Sequence, residues 1–240
     1  MIMKKVNVYV DWFNLYHALK HKIKDPNSQW TAKYKRCDLR KLAQQFLKED
    51  EKLNKVYFFT AYAERDQGAK KRHEIYNHAL RKTGTDVILW KFNQVTKQFI
   101  KDKNWLIHIE FSKGEVLKTS NQIIPQKIVF TTFEEKETDV NIALKILEDA
   151  FFDNYDTAIV ISWDSDIIPS IATVRRLSKK WKISPKNFTS LLVPWTKAKM
   201  MKKACNEIIE ITAENMENSL LPEEIEIEPW KVVKKPESWK

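Results

Sequence analysis

Glu134-Glu135-Lys136-Glu137-Thr138-Asp139, an apolar-periodic run to Phe152, and then Ala158-Ile159-Val160-Ile161-Ser162-Trp163-Asp164-Ser165-Asp166 form the stretch that decides the fold. Thr138 suits an N-cap. Behind it Val140, Ala143, Leu144, Leu147, Ala150 and Phe151 recur at helical spacing, which predicts a helix with that face buried. Residues 158–161 are few, β-branched and apolar, as in a buried parallel strand. After Asp166, the residues Ile167, Ile168, Ile171, Val174 and Leu177 return to helical period, with Pro169 tolerated in the first turn. The stretch is therefore helix–strand–helix. Asp139 stands where the first helix begins, and Asp164 and Asp166 where the strand ends.

That placement has chemical consequences. In open α/β sheets, ligands bind beyond the carboxyl ends of the strands. Acids gathered there repel one another and lose solvation, and a hard divalent cation such as Mg²⁺ or Mn²⁺ compensates through oxygen ligands. Each Asp alone is better explained as a helix-start or loop acid. The three together favour a metal site.

Working outward, Val6–Val10 reads as an apolar strand ending in Asp11, and Asp11-Trp12-Phe13-Asn14 leads into a helix carrying Leu15, Ala18 and Leu19. A fourth Asp thus ends a buried strand, with Asn14 one turn along. Asp38 is placed to cap a helix through Leu39, Leu42, Ala43, Phe46 and Leu47. Residues 55–63 read as an aromatic-rich strand, 67–82 as a basic helix and 86–92 as the next strand. Alternating strands and helices imply a parallel sheet with right-handed crossovers. Residues 93–133 interrupt the pattern. Trp105–Phe111 alternates as a two-faced strand does and is expected to pair with residues 127–132, as a β-hairpin insertion. Residues 189–194 and 207–212 are further strands, with a short basic helix over 197–204. Residues 1–212 therefore read as one domain, and 213–240 as an acidic tail packed on it as irregular chain.

Among the 240 residues, 43% are apolar and no apolar run approaches a membrane span, so no membrane role is expected. Met1-Ile2-Met3-Lys4-Lys5-Val6 enters a strand too quickly for a signal peptide. Cys37 and Cys205 lack ligand spacing, which speaks for a reducing cytoplasm and against zinc. Three glycines in the whole chain exclude a P-loop or a dinucleotide fingerprint. The net charge is +10. From Glu207 to Lys240 nine Glu face four Lys, a balance of −5, so residues 1–206 carry +15. A body this basic suits a polyanion, although a Lys-rich solvated surface gives the same count.

The acidic segments together resemble the NYN domain family, a branch of the PIN-like nucleases. The resemblance rests on Val10-Asp11-Trp12-Phe13-Asn14-Leu15-Tyr16, on Glu134 to Asn141, and on Tyr155-Asp156 leading to Ser162-Trp163-Asp164-Ser165-Asp166. Phe59-Thr60-Ala61, Leu221-Pro222 and residues 235–239 extend it over nearly the whole chain. It implies a PIN-like three-layer α/β/α sandwich with a mainly parallel central sheet. It further implies an Mg²⁺ or Mn²⁺ site and endoribonuclease activity on single-stranded or structured RNA. Carried over, the catalytic and metal-binding positions are Asp11, Asp139, Asp164 and Asp166, supported by Asn14, Lys136 and Asn141. Trp12 and Trp163 stand where the family usually has Gly, or Gly or Asn. They read either as platforms on which unpaired bases stack or as space-filling core. Lys70, Lys71, Arg72, Arg175, Arg176, Lys179, Lys197 and Lys199 are candidate contacts to the nucleic-acid backbone. The alternative is a PIN-like module that binds RNA or protein without cutting it. The sequence leaves homo-oligomerisation open.

Overall fold

The computed structural model describes residues 3–25, 28–62, 66–90, 92–100, 127–135, 137–181, 183–194, 196, 198–228 and 231–239. The chain divides into two compact units, residues 92–135 and the remainder.

The larger unit is built on six strands: β1 (Lys4–Asp11), β2 (Glu51–Ala61), β3 (Asp86–Trp90), and later β6 (Thr157–Ile161), β7 (Asn187–Leu192) and β8 (Glu207–Glu210). They lie in the order β3-β2-β1-β6-β7-β8, and every pairing is parallel. Parallel sheets carry helices on both faces, and the residue pattern of β1 shows why this one can. Val6, Val8 and Val10 enter one apolar cluster and Tyr9 enters the other, each essentially inaccessible to water. Helices α1 (Trp12–Lys24), α2 (Leu39–Gln44) and α3 (Gln67–Lys82) cover the valine face with Leu15, Leu19, Leu42, Tyr76 and Leu80. Helices α4 (Thr138–Phe151), α5 (Ile168–Trp181) and α6 (Lys199–Ala204) cover the tyrosine face with Ile142, Ile146, Ile171, Val174 and Met201. The result is a three-layer α/β/α sandwich, consistent with the PIN-like architecture that the resemblance implied.

Several local expectations are corrected. Thr138 does not cap α4. Glu137 occupies that position at φ 77°, and Thr138 is the first helical residue. The inward face of α4 is Thr138, Ile142, Ile146, Asp149 and Ala150, whereas Val140, Leu144 and Phe151 point to solvent. The period was read correctly and the face was not. Asp149 explains the difference, because this fully buried carboxylate accepts hydrogen bonds from Asn7 Nδ2 (3.1 Å), Tyr9 Oη (2.8 Å) and Asn154 Nδ2 (3.2 Å). Lys145 Nζ lies 3.1 Å away. A buried acid on the core side is affordable only with such partners.

In the smaller unit, β4 (Phe92–Ile100) pairs antiparallel with β5 (Lys127–Glu135), from Phe92 opposite Glu135 to Ile100 opposite Lys127. Residues 127–132 were expected to pair with 105–111. They pair with β4, and 105–111 lie outside the described residues. The tail is not irregular either. It forms α7 (Ala213–Glu217), closed by a Thr212–Asn215 capping box, and an antiparallel pair of β9 (Glu224–Glu228) and β10 (Lys231–Lys234). Leu221 N donates to Arg36 O (2.9 Å) and Asp38 N to Ser219 O (2.6 Å). Trp239 sits edge-on to Tyr76 at 5.7 Å and is 7% exposed.

Candidate active site

The sheet order reverses direction between β1 and β6. From β1 the chain builds outward through β2 and β3, then returns on the other side of β1 to lay down β6, β7 and β8. Such a switch point opens a crevice beyond the carboxyl ends of the two strands. Asp11 ends β1, and Ser162, Trp163 and Asp164 follow β6 directly. Side chains alternate along a strand, so Asp11 shares the face of Tyr9, and Ser162 that of Val160. Both face the layer of α4, whose first turn carries Asp139.

Asp139, Asp164 and Asp166 converge there, each offering a carboxylate oxygen within 4.8 Å of the others. Asp164 is the N-cap of the short 3₁₀ turn Ser165–Ile167, accepting from Asp166 N at 2.9 Å. That bond fixes the spacing of the two loop acids. Among the described residues, no Lys or Arg forms an ion pair with any of the three. Burial, with the neighbouring charges of Asp164 and Asp166, raises the Asp139 carboxyl to about 6. Three hard oxygen donors with unrelieved charge fit a divalent cation such as Mg²⁺ or Mn²⁺.

Asp11 lies near enough to this group for the charge of Asp139 to act on it. It is not among the three carboxylates that meet within 4.8 Å of one another, and its oxygens already accept hydrogen bonds: Oδ1 from Asn14 N (3.0 Å), and Oδ2 from Ser162 Oγ (3.1 Å) and from Asn14 Nδ2. Ser162 Oγ in turn accepts from Asp164 N (3.1 Å). The chain Asn14–Asp11–Ser162–Asp164 thus ties the end of β1 to the loop after β6. Burial outweighs these hydrogen bonds and, with the charge of Asp139, raises Asp11 to about 6. Of the four expected acids, three meet within 4.8 Å of one another, and the fourth, Asp11, caps α1 and accepts from Ser162. Ser162 had gone unnoticed as a candidate; its place immediately before Trp163-Asp164 was the available signal.

Asn141 donates from its side-chain amide to Glu137 O, at the left-handed start of α4. Trp12 is 6% exposed, enclosed by Tyr16, Phe58, His73 and Tyr76 at ring distances of 5.1–5.9 Å. These surroundings favour the space-filling reading of Trp12 over base stacking. Trp163 is half-buried and packs against both apolar clusters. Neither Trp has positive φ, so the usual small residues are not needed for the backbone here.

The basic candidates divide by position. Lys70, Lys71 and Arg72 lie in the first turns of α3, after β2, and Lys199 begins α6, after β7. These two groups flank the acids along the carboxyl edge. Arg175 faces elsewhere: its guanidinium donates to Asn206 Oδ1 (3.0 Å) and stands over Phe188 at 5.8 Å, at the start of β7. Arg176, beside it on α5, is exposed, as is Lys179 further along. Lys136 and Lys197 lie outside the described residues.

The sequence model of the NYN domain matches residues 5–212. No curated protein matches the chain. The crystal structure of a protein of unknown function from Vibrio parahaemolyticus aligns with a TM-score of 0.48 at 17% identity, covering 92% of this chain and 98% of that one.

Proposed function

The chain belongs to the NYN domain family, whose fold is that of the PIN-like nucleases, and on that premise we propose that it is a metal-dependent endoribonuclease hydrolysing RNA phosphodiester bonds. One observation carries the reading: three carboxylates from two separate segments meet, without a basic partner among the described residues, at the switch point of a parallel sheet. Asp139, Asp164 and Asp166 would hold Mg²⁺ or Mn²⁺, which when bound supplies charge to the scissile phosphate and lowers the pKa of an attacking water. Asp164 and Asp166 keep their relative position through the 3₁₀ turn. Asp11 is a fourth candidate ligand and also holds the β6 loop through Ser162. Lys70, Lys71, Arg72 and Lys199 take the phosphate backbone on either side, making binding fall steeply with salt. Lys136 and Lys197 remain candidates for the same task from sequence. Half-buried Trp163 remains the candidate for stacking against an unpaired base. The two free, buried cysteines support a reducing compartment such as the cytoplasm. No described helix is long and apolar enough to cross a membrane.

The test is cleavage of end-labelled single-stranded and structured RNA with Mn²⁺, Mg²⁺ or chelator. Cleavage should require the cation, and Asp164→Asn should lower it at least about 100-fold while RNA binding persists. Activity that survives chelator, or is equal in Asp164→Asn, contradicts the proposal. Tight RNA binding by the wild type without cleavage under any cation would instead favour the non-cutting module.

A further inference from the structure

Helix α1 starts at the acidic site and carries a strip of rings away from it. Asp11 caps the helix, and Phe13, Tyr16, His17 and Lys20 follow at i, i+3, i+4 and i+7, so they share one side. Seven residues at 1.5 Å rise make the strip about 10 Å long. The His17 ring lies 6.0 Å from Phe13 and, edge-on, 5.9 Å from Tyr16. Tyr16 is anchored on Trp12 at 5.3 Å, whereas His17 and Lys20 are exposed.

Cations from three elements gather around these rings. Lys20 belongs to α1 and Arg72 to α3; Lys35, in the 3₁₀ turn Ala32–Arg36, holds its Nζ over the Tyr16 ring at 5.6 Å. Among the described residues, none of the three forms an ion pair with a carboxylate. Helix α1 and the 3₁₀ turn contain no acid. Helix α3 contains Glu74 alone, and its cap Asp66 accepts from Ala69 N (2.9 Å). Burial, with the charges of Lys20 and Arg72, holds Lys35 below the ordinary lysine range, and no described carboxylate offsets them. Burial and Lys20 likewise lower His17, which is therefore an uncharged ring at neutral pH. Like charges held together in this way are relieved by an anion.

We propose that this side of α1 binds the unpaired RNA strand next to the scissile phosphate, a base stacking on His17 while Lys20, Lys35 and Arg72 hold the phosphates around it. On the reading of the chain as an RNA-cutting enzyme, on which this rests, the strand leaves the acids along α1. Rings set among cations suit a single strand, because every base offers a π-face whatever the sequence. An acidic peptide satisfies the cations but brings no base to His17. A duplex keeps its bases inside the stack.

Fluorescence anisotropy of a labelled unpaired RNA of about 12 nucleotides, in chelator so that no cleavage intervenes, tests it. The wild type should bind this RNA more tightly than a fully paired duplex of the same length. His17→Ala should weaken binding at least about 5-fold. Lys20→Gln should lower the slope of log Kd against log salt by about 0.7, and adding Lys35→Gln should lower it by as much again. Circular dichroism should show His17→Ala and Lys20→Gln folded, because both side chains face water. No binding by the wild type, unchanged binding in folded His17→Ala, or an unchanged salt slope in folded Lys20→Gln overturns the proposal. So does a duplex that binds as tightly, or polyglutamate that displaces the RNA as well as unlabelled RNA does. The two readings fail separately. Cation-dependent cleavage by a wild type whose RNA binding ignores these substitutions removes this proposal alone; binding that follows them in a protein that never cuts removes the nuclease reading alone.

Discussion

Trp12 and His73 show how much the immediate surroundings of a side chain decide. Beside Asp11, Trp12 has the sequence position of a base-stacking ring, yet its neighbours make it core. Trp12→Ala should therefore cost roughly 3–5 kcal/mol in urea unfolding, with effects on RNA binding no larger than the loss of folded protein accounts for. His73 packs between Trp12, Phe58 and Tyr62, with Nε2 2.9 Å from Thr60 Oγ1, and burial lowers its pKa to about 4. The unfolded chain, with an ordinary His near 6.5, binds a proton in that window and the folded chain does not. The contribution of His73 to stability is thus fully present above about 6.5 and is lost as pH falls toward 4. Asp11 works in the opposite sense: its raised pKa makes a contribution that is present at low pH and lost as pH rises through about 6. Comparing wild type with His73→Gln isolates the histidine. Between pH 7 and 5 the wild type should lose more stability than the variant, and parallel losses would contradict the assignment.

At the scale of elements, the strands were legible and the helix faces less so. Val6–Val10 and Ala158–Ile161 carry apolar side chains on both faces, and only a central parallel strand uses such a run. Residues 67–82 match α3 to the residue, because Asp66 caps it and Thr83-Gly84 ends it, with Gly84 at φ 84°. For α4, sequence shows two apolar stripes and cannot say which meets the sheet. The stripe with more apolar residues looked like the core, but the polar partners that let Asp149 be buried come from Asn7 and Tyr9, more than a hundred residues away. The two stripes now predict different outcomes. Ile146→Ala should cost roughly 2–5 kcal/mol, whereas Leu144→Ser should change the stability of the monomer by no more than about 0.5 kcal/mol. Equal losses from both would mean that the outer stripe is covered by the chain itself.

Across the whole molecule, the acids were legible as a set because the helix–strand–helix order alone puts them at one edge of the sheet. The division of labour among them was not. An Asp that ends a strand serves as helix cap, as ligand or as both, and only the positions of Asn14 and Ser162 show that Asp11 caps α1 and holds the β6 loop. The tail was misjudged for a related reason. Its acidic composition hid Leu221 and Trp239, which close the valine-face layer against Arg36 and Tyr76. Trp239→Ala should accordingly lower stability by roughly 3–5 kcal/mol, measured by urea unfolding; a change within about 0.5 kcal/mol would show that the end of the chain is not part of the fold. The central claim is that the three converging carboxylates form a cation site, and crystals soaked in Mn²⁺ test it most directly. Anomalous density among Asp139, Asp164 and Asp166, with carboxylate oxygens at about 2.1 Å, is the result predicted. Carboxylates turned apart or paired with lysines, and no anomalous density between them, would contradict it.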